Sequence, residues 1–349
     1  ISLLLIWLFV LINIVGGKVY KNTLIPMLVI MFILGSIVLI TGLVYDQNDF
    51  INSVLISENR VIEPTSNIKF DWKIFLTAAT LMFSSFIGFD AIAQTGNEAK
   101  NPTKNIPRAI LLAIFIVASY YILFTISVYN IVPWIFVADE SITKDITAPG
   151  LLSYVLPPFW GILIIIGAAI ALINDLPAMI LSVSRLMFAW AKDNIFPNRV
   201  ALIHSKFNTP YIAIILVGVV ASIGAIGSHF AGDFFLGIDI MVTSMMINFL
   251  LMCITLISIQ KVNSKLFRNI TVIKNRAIQL FIGYTGTLII LIFLIIHTYK
   301  DLSSNVEEWY FHSTYIYLIV MTVASIYFVL RWKTVKVKNN KTFKTLPVE

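Results

Sequence analysis

Nine charge-poor apolar runs divide this sequence, most of them close to the roughly 20 residues that a bilayer-crossing helix needs. They are Ile1 to Gly16, Thr23 to Tyr45, Ile74 to Thr95, Ala109 to Val132, Leu151 to Ser184, Tyr211 to Gly227, Phe235 to Ile259, Ala277 to Thr298 and Ser313 to Leu330. The first is short, as a truncated helix is, and the fifth is too long for one perpendicular span, so it is expected to run on into the cytoplasm. Only 12% of the 349 residues are charged and 58% are apolar, against about 25% charged in an average soluble domain. That charge cannot cover the surface of a soluble globule, and a mean hydropathy of +0.89 agrees. Disordered, collagenous, coiled-coil and disulfide-scaffold classes are excluded. The sequence is that of an all-α, multi-pass membrane protein.

One cysteine, Cys253, permits neither an internal disulfide nor a thiolate metal cluster. The chain opens at Ile1 inside an apolar run, without the basic start or cleavage site of a signal peptide. It is therefore expected to be a fragment whose N-terminal part is missing.

The basic residues assign an orientation. Alternate segments hold Lys18 and Lys21, then Lys100, Lys104 and Arg108, then the groups Arg185 to Lys206, Lys261 to Arg276 and Arg331 to Lys344, which together make 20 of the 25. The remaining segments hold Arg60, Lys69, Lys73, Lys144 and Lys300. Basic residues collect on the cytoplasmic side, so the C-terminus is expected inside and residue 1 at the outer side. The net charge of +7 is read as this topogenic signal, with the tail also suited to anionic lipid and no nucleic-acid partner implied.

Ionisable residues at membrane depth are costly unless they face a cavity or a partner. Asp90, Asp175 and Asp239 stand out. Asp239 lies near the outer end of its run and is read as a cap. Asp90 ends the segment Ser84, Ser85, Phe86, Ile87, Gly88, Phe89, Asp90, where small hydroxyls and a glycine favour an interruption and aspartate suits the N-cap of a resuming helix. Such a break is tolerated only against protein or a water-filled cavity, and half-helix ends are a common way of holding substrates and ions in transporters. Asp90 is thus either a cap alone or a cap that also lines a cavity. Asp175 precedes Pro177, which removes the hydrogen bond to the Ile173 carbonyl. A carboxylate beside a freed carbonyl suits a cation or ammonium, and Met179 shares its helical face. The alternative is a structural partner on a neighbouring helix. The four histidines are scattered without ligand spacing, and no metal site is expected.

Two motifs carry a family resemblance. Phe86-Ile87-Gly88-Phe89-Asp90, followed by Glu98-Ala99-Lys100-Asn101-Pro102 and Ile106-Pro107-Arg108-Ala109-Ile110, resembles the sixth-helix signature of amino acid permeases of the amino acid–polyamine–organocation superfamily. Ser184-Arg185, Ala191 to Pro197 and Asn208-Thr209-Pro210 are similar to the family's eighth-helix exit and the loop before helix nine. Together they cover roughly Phe83 to Pro210.

The resemblance implies a partial inverted-repeat transporter fold of about nine transmembrane helices, equivalent to helices four to twelve of twelve. Residues 1–45 would be the remnant of the first repeat, 74–260 the second repeat, 277–331 two accessory helices and 332–349 a basic cytoplasmic tail. It also implies that the substrate ammonium meets carbonyls around Phe86 and Ile87, that Phe86 or Phe89 covers it, and that Asp175 and Met179 face the same cavity. Glu98, Lys100 and Arg108 would belong to the cytoplasmic gate. Three departures are present. Asn97-Glu98 stands where many members have two glutamates, Ser84 where a larger residue is common, and Met31 near the position of a lysine in some proton-coupled members.

The implied function is secondary transport of an amino acid or related amine across the cytoplasmic membrane by alternating access, without a cofactor. Coupling to H+ or Na+ is open. A polyamine or cationic amino acid exchanger is the alternative, favoured by the two intramembrane aspartates. A non-transporting sensor or structural protein is more remote. An intramembrane enzyme would need a His or Ser–His arrangement at membrane depth, which the four histidines do not supply, so the chain is read as not an enzyme.

Overall fold

A computed structural model describes residues 1–62, 70–94, 96, 99–144, 146–231, 235–268, 270, 272–304, 306 and 308–338. Among these the regular structure is helical, and the apolar runs fall on helices, the third broken between two of them and the fifth divided between two. The order is α1 (Ser2–Val15), α2 (Gly17–Val44), α3 (Gln47–Glu58), α4 (Trp72–Met82), α5 (Ala91–Gln94), α6 (Pro102–Ile131), α7 (Trp134–Glu140) and α8 (Ala148–Leu152). It continues with α9 (Pro158–Lys192), α10 (Tyr211–Ala231), α11 (Phe235–Val262), α12 (Ser264–Arg268), α13 (Arg276–Ser303) and α14 (Ser313–Lys338). Eight segments are long and apolar enough to cross a membrane, with Trp72–Gln94 counted as one, and α1 is a shorter apolar helix.

The helices outrun the apolar runs at their ends. α2 takes in Lys18 and Lys21, and α6 starts at Pro102, because proline fits the first helical turn, where its missing N–H has no partner to lose. The fifth span is corrected at its start. It begins at Pro158, and Leu151 and Leu152 belong to the separate α8. Asp239 is also corrected. It is the fifth residue of α11, inside the helix and not at its cap.

The chain forms two compact units. One comprises Trp7–Phe70 and Leu112–Leu181, the other Ile1–Ile6, Asp71–Leu111 and the chain from Ser182. In the first, the segments between spans fold instead of remaining loops. Asp46 starts α3 through a capping box, its carboxylate accepting from the Asn48 and Asp49 amides at 2.8 and 3.1 Å while Asp49 accepts from the Asp46 amide at 3.1 Å. Asn59 ends the helix at φ 52°. The buried face of α3 carries Phe50 and Val54, both fully buried, which pack with Ile131, Val132, Phe136 and Leu152. Phe50 meets Phe136 edge-on at 5.0 Å.

Charges close this cluster. Glu140 is paired with Arg60 and, at 3.0 Å, with Lys144, and the Arg60 guanidinium lies 5.2 Å above the Phe136 ring. Hydrogen bonds from Lys144 and Arg60 hold the Glu140 carboxyl below the usual carboxylate range. Burial, helped by its hydrogen bond to Glu58, pushes the Tyr154 phenol up to about 12.

In the second unit, Asp301 near the end of α13 caps the next helix. Its two carboxylate oxygens accept from the Ser313 and Thr314 amides at 3.0 and 2.9 Å. The first amides of a helix have no intrahelical partner, so this cap ties α14 directly to α13.

Candidate functional site

The residues singled out in the sequence fall in both units: Ser84 to Asp90 in the second, Asp175 and Met179 in the first. The helical ladder fails at Ser84 to Asp90. After α4 the backbone tightens into a 3₁₀ turn, Phe83–Phe86, then turns through Ile87 to Asp90 before α5 begins. Gly88 sits at φ +119°, a conformation side-chain-bearing residues rarely adopt. A Cβ placed on it meets no atom within 4 Å, so the glycine is required by the backbone and not by crowding.

The break changes which carbonyls are used. The Ala91 amide donates to the Gly88 carbonyl at 3.1 Å and the Ala93 amide to that of Asp90 at 3.0 Å. These contacts span three residues, so the Ile87 carbonyl is left outside the helical ladder. The Asp90 Oδ1 is buried without a hydrogen-bond partner among the described residues. A buried polar atom left unmatched costs about 1–3 kcal/mol, which suits an atom reserved for a ligand.

Aromatic packing fixes the shape of the break. Phe249 of α11 stacks on Phe89 and meets Phe83 edge-on, so it holds the chain on both sides of the turn. Phe89 is thereby engaged within its unit, and Phe86 is 38% exposed. Below the break, Ser182 of α9 donates to the side-chain oxygen of Gln94, the last residue of α5. Neither Phe249 nor Gln94 stood out in the sequence, since a phenylalanine in an apolar run carries no signal of its own.

Around Asp175 the helix continues through Pro177 without a break. Asp175 and Met179 are both exposed on one face of α9, while Pro177 is buried. The Asn13 side chain of α1, 2% exposed, donates to the Pro177 carbonyl at 3.3 Å and to the Phe9 carbonyl at 2.9 Å. Asn13 is a strongly polar residue in the first apolar run, and that polarity was the available signal. Of the gate residues, Lys100 and Arg108 are exposed at the start of α6, and Glu98 lies outside the described residues. No group of three His, Cys, Asp or Glu side chains that could hold a metal occurs among the described residues.

The downstream motif is also built. Ala191 and Val200 pack with Ala213 in a small core, Trp190 stacks on Phe196, and Arg331 of α14 donates to the Ile195 carbonyl at 3.3 Å. With both motifs in place, the comparison with known sequences is direct. The pattern of the amino acid permease family matches residues 1–324. The chain belongs to the amino acid permease family. The chain is thus a multi-pass integral membrane protein of a family of permeases, not of enzymes.

The chain is 35% identical over 152 residues to an uncharacterized transporter of Mycobacterium tuberculosis, a stretch covering 43% of this chain and 33% of the relative. It is 28% identical over 150 residues to a branched-chain amino acid permease of Bacillus subtilis, covering 42% and 31%. To cationic amino acid transporter 4 of Mus musculus it is 28% identical over 157 residues, covering 45% and 24%. The matched stretch therefore spans about a third or less of each of these relatives.

Proposed function

We propose that the whole protein is a secondary active transporter that moves amino acids across the cytoplasmic membrane by alternating access. The observation that carries this reading is the interrupted segment, where the Ile87 carbonyl leaves the ladder and the buried Asp90 Oδ1 has no described partner. A carbonyl acceptor and a carboxylate at membrane depth are the groups an α-ammonium needs, and broken helices are how many transporters supply them. On this reading Ser84 to Asp90 bind the backbone of the substrate and Phe86 or Phe89 covers it, while Asp175 and Met179 are substrate-binding residues of the other unit. Residues 1–45 belong to the first repeat, 74–260 to the second, and Lys100 and Arg108 with Glu98 to the cytoplasmic gate. The C-terminus lies in the cytoplasm, supported by the distribution of basic residues.

Uptake of labelled leucine by the whole protein in liposomes tests the reading. Asp90→Ala and Asp175→Ala are expected to reduce uptake while the amount of folded protein stays constant. Normal uptake in both variants removes the site assignment, and absence of uptake or counterflow by the unaltered protein removes the function.

A second reading, exchange of cationic amino acids or polyamines, is favoured by the two intramembrane carboxylates. Arginine and putrescine competing more strongly than leucine against labelled substrate would select it.

A further inference from the structure

A cavity of about 480 Å³ lies within one compact unit, between α2, α6, α8 and α9. Its walls are apolar and aromatic, including Met31, Phe32, Tyr120, Phe124, Ile164 and Ala171. Two glycines shape it. A Cβ on Gly35 would lie 2.0 Å from the Tyr120 hydroxyl, and one on Gly167 would lie 2.8 Å from the Leu34 Cβ. The small residues let α2 approach its neighbours closely, and the aromatic rings of α6 then form a wall.

A carboxylate stands one helical turn beyond the α9 wall of this cavity. Ile164, Gly167, Ala168 and Ala171 all line it from α9, and with Asp175 they fall within roughly 100° of one another on a wheel of 3.6 residues per turn. Asp175 is one turn beyond Ala171 on that face, and helical side chains lean toward the helix N-terminus. Its carboxylate therefore leans back over Ala171, toward the cavity. Tyr121 adds a phenol to the cavity wall from α6.

We propose that this cavity is a subsite for a ligand carrying one ammonium group on a compact apolar body. The ammonium sits at Asp175, beside the aromatic faces of α6, which attract cations. The apolar body fills the space between α2, α6 and α9. The volume is within the roughly 300–1,000 Å³ of small-molecule pockets, and its walls offer a hydrophilic side chain few partners. The inference rests on the proposed function only for the ligand's role, and it adds a second place for an ammonium, at Asp175, to the one at the interrupted segment.

Calorimetric titration of the whole protein with 2-phenylethylamine, against 2-phenylethanol of the same shape but without the charge, tests it. The amine is expected to bind and the alcohol to bind about tenfold more weakly or worse, as loss of a charged hydrogen bond implies. Asp175→Asn, which preserves volume, and Ala171→Phe, which fills the cavity, are each expected to weaken the amine by a similar factor. Equal binding of amine and alcohol, or no binding of the amine, overturns the proposal without recourse to a variant. Unchanged amine affinity in Asp175→Asn or in folded Ala171→Phe overturns it as well. Leucine uptake, measured separately, distinguishes the two readings: binding without uptake sinks the transport function, and uptake without binding sinks the subsite.

Discussion

Phe249 lies nearly parallel to Phe89, their ring centroids 5.3 Å apart and their planes 18° from parallel, and it meets Phe83 edge-on at 5.9 Å. One buried ring thus touches the chain on either side of the Gly88 turn. Phe249 is 9% exposed, and removing such a ring costs about 3–5 kcal/mol. Phe249→Ala is expected to lower thermal stability and abolish uptake. Phe249→Leu keeps much of the volume but loses the stacking, so it should retain most of the stability and still impair uptake. A Phe249→Leu protein with normal uptake would show that the stack does not shape the site.

The interruption itself was legible because its residues conflict with their surroundings. Glycine, serines and an aspartate are out of place in an apolar run, and the physics that makes them costly there marks them. Phe249 carries no such conflict, since an aromatic residue in a spanning helix reads the same whether it faces lipid or a neighbour. The short helices α3, α7 and α8 were missed for a related reason. They are short, and their burial comes from aromatic contacts between distant segments, as Phe50 with Phe136 shows. Asn13 was as readable as Asp90, but what it does depends on reaching the Pro177 carbonyl 164 residues away, which no local pattern encodes.

Gly88 separates backbone from side-chain effects. At φ +119° with open space around its Cβ position, any substitution is penalised by conformation, of order 1–3 kcal/mol, and not by clash. Gly88→Ala and Gly88→Ser are therefore expected to impair leucine uptake to a similar degree. A graded loss from alanine to larger residues would point to crowding instead.

The cluster around α3 and α7 is expected to weaken in acid. The Glu140 carboxyl is held below its ordinary value of 4.5 by Lys144 and Arg60. A depressed carboxylate contributes stability that is present above the unfolded value and lost as pH falls through the folded one. Thermal melts should be flat in this respect near neutrality and fall below about pH 4.5. Glu140→Gln should remove that part of the acid dependence and cost about 1–2 kcal/mol, discounted because Arg60 and Lys144 are partly solvated. Hydrogen exchange in α3 and α7 reports the change locally, and identical acid profiles for Glu140→Gln and the unaltered protein would refute it.

Asp301 is the remaining lever, because one carboxylate satisfies two amides of another helix. Its side chain is 8% exposed, so Asp301→Ala leaves the Ser313 and Thr314 amides without acceptors and is expected to cost about 1–2 kcal/mol. Asp301→Asn keeps one acceptor oxygen and should lose roughly half as much. The His312 ring nitrogen keeps its 2.8 Å contact with the Asp301 backbone carbonyl but loses the carboxylate oxygen 3.9 Å away, and the loss of the cap should appear as faster exchange in the first turn of α14. Exchange confined to the end of α13, with α14 unchanged, would mean that the cap does not hold the second helix.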